Sequence, residues 1–319
     1  LTALMANGVC GPVTFNVRSG TFTGQLDFSS AIPGASSTNS VRFRADPANT
    51  SAATIRNGSG YTIGFGGGAS FISFDSLSIS TTSSTRVISL YGNNDSISFD
   101  GNKITGYNTT SSSDLYAAVY DANGNNTTNL EFINNEVNYG SYGIRLYGSG
   151  TSVAQNQDGF MIKNNKFTNL GYYGIYLYYV KNGTFEGNEV SNISTISQGY
   201  GIYGYYNNGV NLVGNKIITY GSSWSRNIYW YRCYGTSTKR TLVANNMFIR
   251  PQAGSNSSYY DYFYSCNYID EVHNSWDGKC NYNSTSYGLI RWYYGTAAQF
   301  SNNYFQPKEP TAKRYLKRR

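Results

Sequence analysis

Charge is scarce in this chain: Lys, Arg, Asp and Glu together make up 13% of 319 residues. That shortage argues against a helical protein, and the abundance of Gly, Ser, Thr, Asn and Tyr suits short strands joined by tight turns. There is one histidine, His273, placed directly before an asparagine in a turn-like phrase, where a turn role fits better than a general base. The four cysteines, Cys10, Cys233, Cys266 and Cys280, lack the close paired spacing of a zinc site. No apolar stretch is long enough to span a membrane, so membrane insertion is not expected. No signal peptide stands at Leu1, so any export signal is expected upstream of it. The net charge of +7 is concentrated in the tail KRYLKRR and the residues just before it, and the body is nearly neutral, so no nucleic-acid partner is expected.

What is present is a repeat. Phrases such as FDGNKI, EFINNEV, MIKNNKF, TFEGNEV and NLVGNKI place an asparagine at one position: Asn102, Asn135, Asn165, Asn188, Asn215, Asn246, Asn274 and Asn303. Intervals of 23 to 33 residues suit one turn of a solenoid and are too irregular for helical hairpins. An apolar residue three before the asparagine and another two after it read as strand, turn, strand. A second column of phrases ends in tyrosine at Tyr91, Tyr120, Tyr147, Tyr178, Tyr205, Tyr231, Tyr264 and Tyr293. Alternation puts Ile144 and Leu146 on the core face, and Arg145 and Tyr147 on the other, facing water.

Together the columns predict an all-β, single-stranded parallel β-helix, with stacked asparagines forming a structural ladder. Residues 1–38 are expected to hold an N-terminal cap and the first strands, 39–305 the coils, and 306–319 a basic tail or linker. Lys103, Glu136, Lys166, Glu189 and Lys216 alternate in sign one place after the ladder, a pattern that sets register. Cys233 and Cys266 share one offset from Tyr231 and Tyr264, so a disulfide between adjacent coils is expected, with Cys266 and Cys280 as the competing pair. Such a bond would fit an extracellular setting.

The opening GVCGPVTFNVRSGTFTGQLDF with IPGASSTNSVRFRAD, and the phrases FDSLSI and xxNNxF, resemble right-handed β-helix proteins of the Bacteroidota cell surface, related in fold to pectate lyases. The resemblance implies right-handed winding, export and attachment outside the cell, and it carries over no catalytic residue.

Little chemistry is legible. Glycoside hydrolysis needs two facing carboxyls, and the adjacent acidic pair, Asp270 and Glu271, lies in an irregular coil. No catalytic residue and no cofactor are assigned. The loop at 121–126, DANGNN, has alternate oxygen donors but lacks the sixth-place Gly and distal Glu of a calcium loop. The surplus lies in the tyrosine sheet. The reading is a noncatalytic extracellular surface or fibre module that binds glycan or a protein partner through Tyr147, Tyr176, Tyr178, Tyr203, Tyr205, Tyr229, Tyr231, Tyr264 and Tyr293, with Arg145 and Arg291. One alternative is a polysaccharide lyase or glycoside hydrolase acting on an acidic polysaccharide near Arg145 and Asp121. Another is a stalk or self-assembling filament subunit whose tyrosine faces pack between copies.

Overall fold

At each asparagine phrase the preceding residue has left-handed backbone: Gly101, Asn134, Asn164, Gly187, Gly214, Asn245, His273 and Asn302 have φ between 53° and 67°. Glycine and asparagine tolerate that conformation best, which explains the recurrent GN and NN dipeptides. His273 is thereby a turn residue. The left-handed step bends the chain between two strands and turns the next side chain inward. Each ladder asparagine then serves its neighbours. The Asn188 carboxamide oxygen accepts from the Asn165 backbone N–H at 2.8 Å, and its amide donates to the Ile162 carbonyl at 2.8 Å and to Asn215 Oδ1 at 3.0 Å. The same pattern runs from Asn102 to Asn303, and Leu77 begins the column by donating its N–H to Asn102 Oδ1.

The computed structural model describes residues 1–150, 157–193, 199–220, 225–251, 261–278, 290–307 and 316–318. Three parallel sheets, A, B and C, each of 11 strands, form the walls of a right-handed solenoid, and each strand pairs with its equivalent in the next coil. Inward residues therefore form continuous files. In sheet A the file runs Phe15, Phe43, Phe74, Phe99, Phe132, Ile162, Phe185, Leu212, Val243, Glu271, Phe300. Its first five rings stack with centroids 4.7 to 5.3 Å apart, adding roughly 0.5–1.5 kcal/mol per pair to area burial. From Phe74 onward the corner from A to B never changes length: the inward corner residue follows three after the inward sheet-A residue, as in Phe74 to Leu77 and Phe300 to Asn303.

The ends refine the expected boundaries. The helix Thr2–Asn7 places Leu4 and Met5 against the core, but the strands Val13–Val17, Gly20–Thr23 and Leu26–Phe28 already form a full coil in register with the next. The coils thus start well before residue 39. At the far end the strand Tyr304–Pro307 closes sheet B, and Leu316–Arg318 pairs with Ile290–Tyr293 as the last strand of sheet C, so part of the basic tail belongs to the solenoid. The alternating charges stand in register, and Lys216 and Glu189 close to 3.6 Å. Both are exposed enough that the pair contributes at most about 1 kcal/mol, so register is its main effect.

The predicted disulfide does not form. Cys233 and Cys266 stack on adjacent coils as free thiols. In-register parallel strands project both side chains in the same direction. Each thiol instead faces carbonyls, Cys233 that of Tyr231 at 3.7 Å and Cys266 those of Trp230 and Tyr264 at 3.5 Å. Cys280 lies outside the described residues. Iodoacetamide should therefore modify exposed Cys10 in the folded protein, and reach Cys233 and Cys266 only after denaturation. Recovery of a Cys233–Cys266 cystine peptide without reduction would contradict this.

Candidate functional site

Sheet C turns three rows of aromatic residues outward. In the first, Tyr147, Tyr178, Tyr205, Tyr231, Tyr264 and Tyr293 pair coil by coil. Two residues earlier on each strand, Arg145, Tyr176, Tyr203, Tyr229, Tyr262 and Arg291 form the second. A third, not foreseen from the sequence, consists of Tyr142, Tyr173 and Tyr200, followed by Arg226. Strict in-register pairing puts like residues one coil apart, and planar side chains then lie face to face. First-row centroids are 4.4 to 5.4 Å apart, with planes within 21° of parallel. Second-row rings are 5.0 to 5.1 Å apart. Rings of the third row meet the second edge-on, as in Tyr173 with Tyr176 at 5.2 Å.

The rows are not freely solvated, as alternation alone suggested. Most of these tyrosines are half-buried, because each ring covers the face of the next. Desolvation accordingly raises the phenol pKa of Tyr178, Tyr203 and Tyr205, and those of Tyr176 and Tyr229 to about 12. Edges and hydroxyls remain on the surface. Arg145 and Arg291 flank the second-row tyrosines: Arg145 lies over Tyr147 and Tyr176 at 4.8 and 5.7 Å, and Arg291 over Tyr262 and Tyr293 at 5.6 and 5.2 Å.

At the N-terminal end of the face a wall is built from the long connection at 106–117. Ser141 donates its backbone N–H to the Tyr116 carbonyl at 2.9 Å and its hydroxyl to that of Ser113 at 2.6 Å. Arg86 pairs with Asp114 at 3.4 Å and lies 3.4 Å over the Tyr120 ring. This corrects three expectations. Tyr120 pairs with Arg145 and belongs to the second row, not the first. Arg145 is not an open outward cation: it is only 5% exposed, and its guanidinium donates to the Asp121 carbonyl and to Asn123 Oδ1. Asp121 does not face outward at all. It stands opposite Leu90 in an inward file, fully buried, and burial pushes its carboxyl up to about 8. Within 121–126, Asn125 donates its amide N–H to Asp121 at 3.0 Å and to the Leu90 carbonyl at 2.9 Å.

The adjacent acidic pair is split in the same manner. Asp270 points outward and pairs with Arg240 at 2.7 Å, whereas Glu271 is buried in the sheet-A file. Asp261, likewise buried, accepts from the Trp276 indole N–H at 2.7 Å and the Ile228 N–H at 3.2 Å. A second ladder also escaped the sequence reading. Asn207 donates to the Leu177 carbonyl and accepts from Val180 N–H, both at 3.2 Å, and Cys233 and Cys266 occupy the same corner in the next two coils. Its signal was present, since all three stand two residues after a first-row tyrosine.

The family model for the right-handed β-helix region matches residues 122–305, more than half of the chain. The chain belongs to that family. No curated protein matches its sequence. Among solved structures it is similar to the Dettilon tailspike protein, with a TM-score of 0.55 and 13% identity over 95% of this chain and 63% of the tailspike. It is also similar to the surface protein and adhesin PfbA of Streptococcus pneumoniae, at 0.51 and 14%, over 93% of this chain and 89% of the adhesin. A third likeness is to the GH136 lacto-N-biosidase of Eubacterium ramulus, at 0.51 and 12%, over 92% of this chain and 60% of the enzyme. At these identities the likeness is one of fold. Among the described residues no helix is long and apolar enough to cross a membrane.

Proposed function

We propose that the chain is an extracellular, noncatalytic surface module that binds an extended glycan along the tyrosine rows of sheet C. The observation that carries this is the pair of uninterrupted outward rows, Tyr147 to Tyr293 and Tyr176 to Tyr262, in register over successive coils. A repeating surface suits a repeating ligand, because each coil offers the same groups one strand spacing further along, roughly 4.8 Å. Two of the structurally similar proteins are named as a tailspike and a surface adhesin, in keeping with surface attachment. A lyase or hydrolase reading loses both residues it would use here, since Asp121 points into the core and Arg145 is held beneath rings.

The double substitution Tyr178→Ser with Tyr205→Ser tests the proposal, as both side chains point away from the core. Screening on a broad glycan array should show binding by the wild type and at least about a tenfold loss in the variant, the scale of one or two disrupted aromatic contacts. The circular dichroism spectrum should stay unchanged. Equal binding by the two proteins would reject the tyrosine sheet as the site.

A further inference from the structure

The stacking that builds the rows also decides what they offer a ligand. A sugar ring that packs on tyrosine uses the flat face, yet between Tyr147 and Tyr293 those faces are shared with the coils above and below at 4.4 to 5.4 Å. What remains outside is a two-dimensional lattice of ring edges and hydroxyls. Its spacing along the axis is one coil, and across the rows it is 6.2 Å between Tyr176 and Tyr178 and 6.4 Å between Tyr262 and Tyr264. Among the described residues no tyrosine hydroxyl is a buried atom lacking a partner, so every one of them meets solvent or a partner.

The tyrosine positions between Arg145 and Arg291 carry no charge of their own, and both arginines are engaged with rings. A further cation against the first row, Arg232, lies over Tyr231 and Tyr206 at 5.4 Å and donates to the Tyr206 hydroxyl. A phenol is protonated at neutral pH, and burial moves Tyr176 and Tyr229 further from ionisation, up to about 12. The nearby carboxyls of Asp121 and Asp261 point inward. A phenol hydroxyl both donates and accepts, as does a sugar hydroxyl. A carboxylate laid on the four middle coils would lose water and find no cation within the first two rows, the exposed Arg232 beside Tyr231 being already bonded to the Tyr206 hydroxyl.

Resting on the glycan reading above, we infer that the ligand is an uncharged linear glycan, held through phenol hydroxyls and not by stacking on ring faces, with its chain along the solenoid axis. From Tyr147 to Tyr293 the rows span five coil steps, roughly 24 Å.

The deciding variant is Tyr178→Phe, Tyr205→Phe and Tyr231→Phe combined, which keeps every stacked ring and removes three hydroxyls. Affinities would be measured for neutral polymers (soluble β-glucan, mannan, dextran) and acidic ones (polygalacturonate, alginate), beside the glycan array. The wild type should bind a neutral glycan in preference, and the triple variant should bind it about tenfold or more weakly, the scale of several lost hydrogen bonds. Preference for the acidic polymers, or wild-type affinity in the Phe variant, would overturn the inference. If the Ser double variant fails while the Phe variant binds normally, the tyrosine sheet remains the site and only the hydroxyl reading falls. If the wild type binds no glycan at all, both proposals fall.

Discussion

Stability should fall as the pH rises from about 4 through about 8. Three carboxyls cause this. Asp121 and Asp261 are fully buried and pushed up to about 8, and burial raises Glu271 well above the carboxylate range, helped by neighbouring Asp261 and Cys266. Their unfolded values lie near 4. A raised folded value means that the native state holds the proton more tightly. The stabilisation is therefore complete below the unfolded pKa and is lost as pH rises through the folded one. Each tenfold gain in proton affinity on folding corresponds to about 1.4 kcal/mol, so the three acids together amount to several kcal/mol. Thermal unfolding at pH 5 and pH 9 would measure it, and an equal or higher Tm at pH 9 would show that these acids are not held neutral. Glu271→Leu should raise stability at pH 8, because Glu271 sits between Val243 and Phe300 with neither carboxylate oxygen partnered.

Asn188→Ala should destabilise the fold strongly for an opposite reason. The asparagine serves groups that have no water to fall back on: the Asn165 N–H at 2.8 Å and the Ile162 carbonyl at 2.8 Å, both inside the solenoid. Each orphaned group costs about 1–3 kcal/mol, so the loss should reach roughly 2–6 kcal/mol. Asn303→Ala, at the partly exposed end of the same ladder, should cost clearly less. Urea denaturation of the two variants decides between a continuous ladder and independent turns, since equal losses would favour the latter.

The ladder was legible in the sequence because one local requirement repeats: a left-handed residue, then an inward asparagine, three residues after an inward apolar one. The tyrosine rows were legible for a similar reason, through Tyr176, Tyr203 and Tyr229 at two-residue offsets from the first row. Other features were decided by the coils around them. Arg145 reads as outward, and it is; its burial comes from neighbouring rings and from a loop folded over the sheet's start. Tyr120 was placed one row off because its phrase was aligned by its final tyrosine with the one ending at Tyr147, whereas the register pairs it with Arg145. The inward acids break the expectation that charge lies outside, although alternation from Val119 to Asp121 and from Ile269 to Glu271 does point them inward. The cysteines were paired chemically when their offset marked them as members of a second ladder.

The constant corner between sheets A and B has a consequence for how such a chain can change. One residue gained or lost there would break the ladder in every coil it touches, so insertions and deletions are tolerated only at the other two corners. Both of those border sheet C. Mutational drift in length is thus channelled to the rims of the tyrosine face, and lineages descended from this chain can reshape what the face admits while its supporting asparagines stay untouched.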